Sequence, residues 1–479
     1  MTVVDRRATP RARSSFAPEL GALLTAASDA RRPHPLVTVT HSTAAVDPIS
    51  LFAAARAQDL ETALWLQPSA DRSIVGVGRA WAFEGDGSDR FAWAAAAWRA
   101  VLVDAVGSER RAERPDAGPV LIGGLGFTGA KPPGDDPWAT FGPASLVLPT
   151  FALAQNGSHA TLTVAIAPDR LADPAVGEVE SAWDAIIAGA RVADVAGSGL
   201  LRIVDERPNR PTWERTVGMF AGAVGRGRID KVVLARRVAF EARADLDVVA
   251  ALRHLAATAP ESTTFAFSRG ATTFMGATPE RLARTVGRSF ETVAIAGSAP
   301  RGVDADEDAG FAAGLLASEK DREEHAVVVD TLRAGLAPIV QTITIADAPG
   351  ILPLRHVQHL VTPISGTLRD DAGLLALAAL LHPTPAVGGE PRDVALDLIS
   401  EHEGFDRGWY AGPVGWIGAD GDGELMVALR CGLVSGSTAV LFAGCGIVAD
   451  SDPAREWEES RLKLRTMIAA LGGVAEDAS

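Results

Sequence analysis

The spacing of apolar and polar positions divides the chain into stretches of two different periods. From Leu36 to about Ile166, short alternating or wholly apolar runs (PLVTVT, TALWLQ, SIVGVG, VLIGGLGF, ASLVLPTFAL, ATLTVAIA) are punctuated by Gly, Pro and Asp. That pattern predicts a mostly antiparallel sheet, with one helical stretch near residues 91 to 106. Residues 176 to 195 read as a helix, and the Gly/Pro-bearing connector AGSGLLRIVDERPNRP ends in Pro211, a residue suited to the first turn of a further helix over about 211 to 225. The main internal boundary is placed at that connector. Strands follow (KVVLARRVAF, TTFAFSR, TTFMGA, FETVAIAG), then a charged helix over about 307 to 341, and further strands and helices up to a C-terminal helix. This is α+β order, not βαβ repetition, and no repeat of 20 to 50 residues is found. The first fifteen residues are Arg-rich, contain Pro and lack periodicity, so they read as a mobile N-terminal arm.

Composition narrows the function classes. With 479 residues, 47% hydrophobic and 22% charged, the chain can bury a large core. Its net charge of -15 argues against nucleic acid or an anionic membrane as partner, because phosphate binding needs a basic surface. Two cysteines, Cys431 and Cys445, are too few for a disulfide framework, and neither a signal peptide nor a membrane span is read in the sequence, so a cytoplasmic enzyme is expected. Only four of the 45 cationic residues are lysines: Lys131, Lys231, Lys320 and Lys463. A chain that otherwise writes its positive charge as arginine directs attention to the places where a compact ammonium is kept.

Several motifs do not survive inspection. Gly124, Gly126 and Gly129 spell GxGxxG, but AKPPGDDPW follows and cannot open the helix that a dinucleotide turn requires. DGDGE at Asp420 to Glu424 lacks the later ligands of a calcium loop and reads as a hairpin turn. His356 and His359 lie in a β-like run whose alternation points them to opposite faces, which disfavours zinc.

Other residues form a chemical constellation. In ASEKDREEHAVVVDTL, Asp321 and Glu324 are three apart on one helical face, with Val327, Val328 and Leu332 expected to pack. The last helix repeats the device with Glu456 and Glu459, and adds Lys463. Such carboxylate pairs are either solvated helix faces or, if they face each other, a site for a hard divalent cation such as Mg²⁺. Lys231 shares a strand face with Val233 and Ala235, where burial would favour a neutral amine able to act as a general base; a solvated strand end is the alternative. Glu280 follows a strand at a Pro-containing turn and is either a proton donor or a helix N-terminal carboxylate. Arg430 is expected on a strand with Glu424, Met426 and Ala428, able to hold a carboxylate in a fork. Gly444 and Gly446 either let a ligand approach the backbone or mark a bulge.

In order, KVVLAR, GATPERL, AIAGSAPRG, SEKDREEH, HLVTPISGTL, HPTPAVGG, FDRGWYAGPVGW, VALRC, AGCGIV and SDPAREWEESRLKL resemble the chorismate-utilising enzymes, and among them most closely the isochorismate synthases. The likeness covers roughly residues 205 to 470, and residues 16 to 204 resemble the divergent N-terminal half of the same single large α+β domain, whose catalytic region is 205 to 479. The resemblance implies large, mostly antiparallel sheets layered with helices. It also implies Mg²⁺ held by Glu324 and Glu459, with Asp321 and Glu456 as direct or water-mediated ligands. It makes Lys231 the base that activates water for attack at ring C2, and Glu280 the acid that protonates the departing C4 hydroxyl. It sets Tyr410, the chain's one tyrosine, and Arg430 around the enolpyruvyl side chain, Gly297, Gly444 and Lys463 near the ring carboxylate, and Ala386 and Val387 against the ligand. Covalent aminodeoxychorismate synthases resemble a lysine at the position of Ala296, and anthranilate synthases a glutamine at Lys231, so water is the nucleophile implied here, by a monomer with no amidotransferase subunit. Ser298 stands where the family often has threonine. Salicylate synthase, which shares the first step and then eliminates pyruvate, is the alternative within the family; a non-catalytic chorismate-like binding protein is the remote one. Menaquinone, siderophore and salicylate synthesis are all open as destinations of the product.

Overall fold

A computed structural model describes residues 15–29, 36–107, 117–134, 136–167, 176–190, 201–353, 357–370 and 372–473. The N-terminal arm up to residue 14, His356 and part of the expected connector lie outside the described residues. Within them, two sheets carry the fold, one of thirteen strands and one of ten. Pairing is antiparallel except between Val37–Thr43 and Val106–Gly107. Strands from both halves of the chain interleave in each sheet: Thr263–Arg269 pairs with Thr62–Gln67 in the larger, and Pro413–Gly418 with Val120–Leu125 in the smaller.

The strands are rich in uninterrupted apolar residues because the larger sheet is covered on both faces. Alternation assigns the two sides: Trp65, Phe265 and Phe267 enter one core with residues of the smaller sheet, including Leu121 and Val414, while Leu64 and Ala266 point into a second core with Leu20, Phe52, Leu252 and Met467 from helices. An aromatic cluster lies in the first core, with Trp138 edge-on to Phe274 at 4.9 Å and Phe141 edge-on to Trp409 at 5.2 Å. The GxGxxG glycines belong to this packing: a Cβ at Gly124 would lie 2.4 Å from the Trp409 ring, so the glycine clears an indole rather than a phosphate. DGDGE is the hairpin turn between Pro413–Gly418 and Gly423–Val427.

Three expectations need correction. The charged helix over 307 to 341 is two helices, Ala305–Ala317 and Glu319–Leu336, broken at Ser318, whose hydroxyl caps the second by accepting from the Asp321 N–H at 3.2 Å. In that second helix Val327 is exposed, and His325 takes the buried position beside Val328 and Leu332. Arg430 is not on a strand with Glu424 and Met426, because that strand ends at Val427. Arg430 occupies the following turn with φ +48°, in the left-handed region that non-glycine residues seldom adopt.

Candidate active site

One cavity of about 370 Å³ is lined by Lys231, Glu280, Gly297, Asp321, Glu324, Ala386, Val387, Tyr410, Arg430, Gly444, Glu456, Glu459 and Lys463, which are all the candidate residues taken from the sequence. Three of the chain's four lysines, Lys231, Lys320 and Lys463, are on its wall. The volume suits a small ligand with a few polar groups.

The base of the cavity is the strand Lys231–Glu241, paired in unbroken register with Thr438–Ile447. That register excludes a bulge as the reason for Gly444 and Gly446. A Cβ at Gly446 would lie 2.5 Å from Lys231 Cε, and one at Gly444 would lie 3.0 Å from the Tyr410 hydroxyl. The glycines make room for two site side chains, and the Gly444 carbonyl accepts from Lys463 Nζ at 2.7 Å.

Two helices supply the acids. Glu319–Leu336 buries His325, Val328, Leu332 and Leu336 and presents Asp321 and Glu324 to the cavity. Pro453–Ala470, opened by Pro453 and capped by Asp452, buries Trp457, Ser460 and Leu464 and presents Glu456, Glu459 and Lys463. The second helix is pinned to the Lys231 strand by Arg236, whose guanidinium stacks on Trp457 at 3.5 Å and donates to Ser460 Oγ at 3.1 Å. Lys231 Nζ donates to Glu324 Oε1 at 2.6 Å, and Lys463 Nζ lies 2.7 Å from Glu459 Oε1. Lys463 holds the Glu459 carboxyl below its usual range against the opposing effect of burial, whereas burial and then the charge of Glu459 push Glu456 up. For Lys463 itself burial opposes the charge, but the Glu459 carboxylate outweighs it and its pKa is raised.

These oxygen donors fit a hard divalent cation. Glu456 and Glu459 share a crowded, partly buried corner in which one carboxylate raises the other, a situation a cation relieves. Among the described residues, the His, Cys, Asp and Glu side chains that bring three ligand atoms within 4.8 Å of one another are those of Cys445, Glu456 and Glu459. The Cys445 thiol is buried, its pKa raised well above normal, and it donates to the Glu456 carbonyl, so it offers no thiolate.

Glu280 sits between strands Thr272–Thr278 and Arg281–Val286, not at a helix N-terminus. Burial raises its pKa to about 7, although Arg430, Lys231 and Lys463 pull the other way. A carboxyl of this kind can hold a proton near neutrality. Tyr410 is buried against Phe442, stacked at 5.2 Å, and burial raises its phenol pKa. Gly297 adopts φ +75° at a bulge where the pairing of Ser289–Pro300 with Val357–Leu368 shifts register. A Cβ there would press within 3.3 Å of both Asp321 and Leu360.

The bulge also explains a residue that the sequence reading set aside. It brings Ser298 opposite His359, whose Nδ1 is 2.8 Å from Ser298 Oγ, and turns His359 into the cavity. Burial, with Arg430 and Lys463 nearby, lowers its pKa to about 3, so this imidazole is neutral. No signal in the HxxH spacing could have revealed it, because its orientation depends on a one-residue irregularity in the strand.

Comparison with known proteins agrees with the motif order. A family model described as chorismate binding enzyme matches residues 22–472. The chain is 38% identical to a salicylate biosynthesis isochorismate synthase of Pseudomonas aeruginosa over 92% of each chain. It is 33% identical to the isochorismate synthase MenF of Bacillus subtilis over 91% of this chain and 94% of that one. The solved structure of MenF, the menaquinone-specific isochorismate synthase from Escherichia coli, superposes with a TM-score of 0.75 at 25% identity, covering 96% of this chain and all of that one.

Proposed function

The chain belongs to the chorismate-binding enzymes, and from that premise we propose that it is an isochorismate synthase, an isomerase that converts chorismate reversibly to isochorismate. The observation that carries the reading is the pairing, on one cavity, of a lysine with a buried carboxyl whose pKa is about 7. The reaction needs a proton removed from a water molecule at one end of the substrate and a proton delivered at the other. Lys231 takes the proton as the water oxygen bonds to ring C2. Both ring double bonds shift, the C4–O bond breaks, and Glu280 protonates the departing hydroxyl. One water is consumed and one released, so the transposition is balanced without oxidant or reductant.

The remaining residues hold the substrate. Arg430 and Tyr410 take the enolpyruvyl side chain, Lys463 with the backbone at Gly297 and Gly444 takes the ring carboxylate, and Ala386 and Val387 pack on the ring. Glu324 and Glu459 would hold Mg²⁺, with Asp321 and Glu456 direct or through water. When bound, the ion neutralises the substrate carboxylate in a site otherwise crowded with acids. The same reading makes the chain one domain, cytoplasmic, and monomeric without an amidotransferase subunit. The described residues include no helix long and apolar enough to cross a membrane.

The test is the product. Chorismate with Mg²⁺ yields isochorismate in a reversible equilibrium, identified by chromatography, with no pyruvate in a lactate dehydrogenase couple. Stoichiometric pyruvate with salicylate would move the assignment to salicylate synthase. Binding of chorismate without any turnover would move it to a non-catalytic binding protein.

A further inference from the structure

A second cavity, of about 720 Å³, adjoins the active-site cavity and shares Pro279, Ser298, Arg430, Arg455, Glu459 and Lys463 with it. It is formed on the far side of those residues by the Thr258–Ser262 segment, the end of the strand Ser289–Pro300 and the helix Pro453–Ala470. The proposed reaction makes no use of this space. Its walls nevertheless define a ligand chemistry.

The first element is shape and polarity. Ala259, Pro260, Pro279, Pro300 and Leu462 give rigid, apolar surfaces without hydrogen-bonding side chains, which favour a small planar ring over a polar one. The second is charge. Among the buried and half-buried arginines, Arg269, Arg301 and Arg407 spend their N–H groups on partners within the protein. Arg430 differs: its guanidinium has no hydrogen-bond partner among the described residues, while a left-handed backbone holds it in the wall between the two cavities. Lys463, on the same wall, is already engaged by the Gly444 carbonyl and Glu459. Arg455, the other arginine of the shared wall, is exposed at the start of its helix, so Arg430 is the half-buried shared-wall cation with donors to spare, and a planar guanidinium matches a planar carboxylate.

We propose that the second cavity is a binding site for a small aromatic monocarboxylate, with its ring on the proline-lined wall and its carboxylate on Arg430. Because the proposed function gives the same guanidinium to the substrate side chain, such a ligand excludes chorismate and inhibits competitively. The competitive pattern rests on that reading, but binding itself does not.

Benzoate is the probe. Calorimetry on the substrate-free protein is expected to show one benzoate bound per chain, and kinetics to show competition with chorismate. Leu462→Trp, at an exposed residue of the second cavity that does not line the first, is expected to raise the benzoate dissociation and inhibition constants about tenfold or more while changing the KM for chorismate less than about twofold. Thr258→Phe fills the cavity from the opposite wall and gives the same result by an independent route; thermal melts confirm that both variants are folded. Unchanged benzoate affinity in both variants would put benzoate in the active-site cavity and overturn the proposal. A KM for chorismate that rises in step with the benzoate constant would make the space a substrate passage instead. Absence of any benzoate heat at millimolar concentration would also overturn it, and would leave the isochorismate synthase reading untouched.

Discussion

Glu280 connects stability, pH and catalysis in one substitution, Glu280→Gln. Burial raises this carboxyl from 4.5 to about 7 in the folded protein. Between those values the unfolded chain has released the proton and the native chain still holds it, so rising pH disfavours the native state. The stabilisation is therefore complete below about pH 4.5 and is lost as pH passes about 7, an amount of about 3 kcal/mol at ~1.4 kcal/mol per pKa unit. Glutamine cannot ionise and escapes this loss. The difference in stability between variant and wild type should then shift in favour of the variant by about 3 kcal/mol from pH 4.5 to 8, in metal-free buffer without substrate. Unfolding entropy of ~2 cal/mol/K per residue over a chain of this length makes 1 kcal/mol worth only about 1 °C, so calorimetry must resolve a shift of about 3 °C, or denaturant titration must replace it. In kinetics, kcat/KM for chorismate should fall above about pH 7 as the free enzyme loses its acid, and the variant should lack that limb while losing at least about 10²-fold in rate. A stability difference that is flat with pH would refute the raised pKa. A variant that keeps the alkaline limb would refute the role of Glu280 as the acid.

Three further outcomes follow from contacts described above. Gly446→Ala places a Cβ 2.5 Å from Lys231 Cε, so it should displace the flexible lysine rather than the fold; activity is expected to fall about 10²-fold with little change in melting temperature, and a variant with normal turnover would show that the position of Lys231 is not critical. Arg407→Leu strands the buried Glu403 carboxylate and should cost about 3 to 5 kcal/mol, whereas adding Glu403→Gln should recover part of that loss; additive losses in denaturation experiments would contradict the pairing. Mg²⁺ should raise the melting temperature of the wild type, and Glu459→Gln should shrink that rise; an equal rise in both would remove Glu459 from the metal site.

Much of the site could be read in the sequence because its chemistry is concentrated in short blocks on regular elements. Asp321 with Glu324, and Glu456 with Glu459, keep helical spacing, so the residues that reach the cavity together are also close in sequence. Lysine was informative because it is scarce: an inventory of four places three on one cavity wall. The irregular positions were not legible. The break at Ser318 depends on one hydroxyl serving a helix start, and the turn of His359 into the site depends on the bulge at Gly297. Periodicity assumes that an element continues, and both of these features are interruptions.

Arginine shows most clearly where sequence stops and structure begins. Arg407 and Arg430 each have a glycine within two residues on their C-terminal side, and composition treats them alike. In the folded chain Arg407 is entirely internal: it donates to the carbonyls of Val387 and Val233 and to Glu403, and lies 4.1 Å over the Phe127 ring. It therefore fixes two residues of the cavity wall, Val233 and Val387, without offering a donor to a ligand. Arg430 has the reverse character, with an unused guanidinium and an uncommon backbone conformation. The difference lies in where the donors are spent, which depends on carbonyls contributed by segments some 20 and 170 residues away. A side chain whose donors are satisfied shapes a site, and one whose donors are left open receives the ligand. Under the proposed function that distinction gives Arg407 a positioning role and Arg430 a binding one, and Arg430 is the point at which the two proposed ligands would compete.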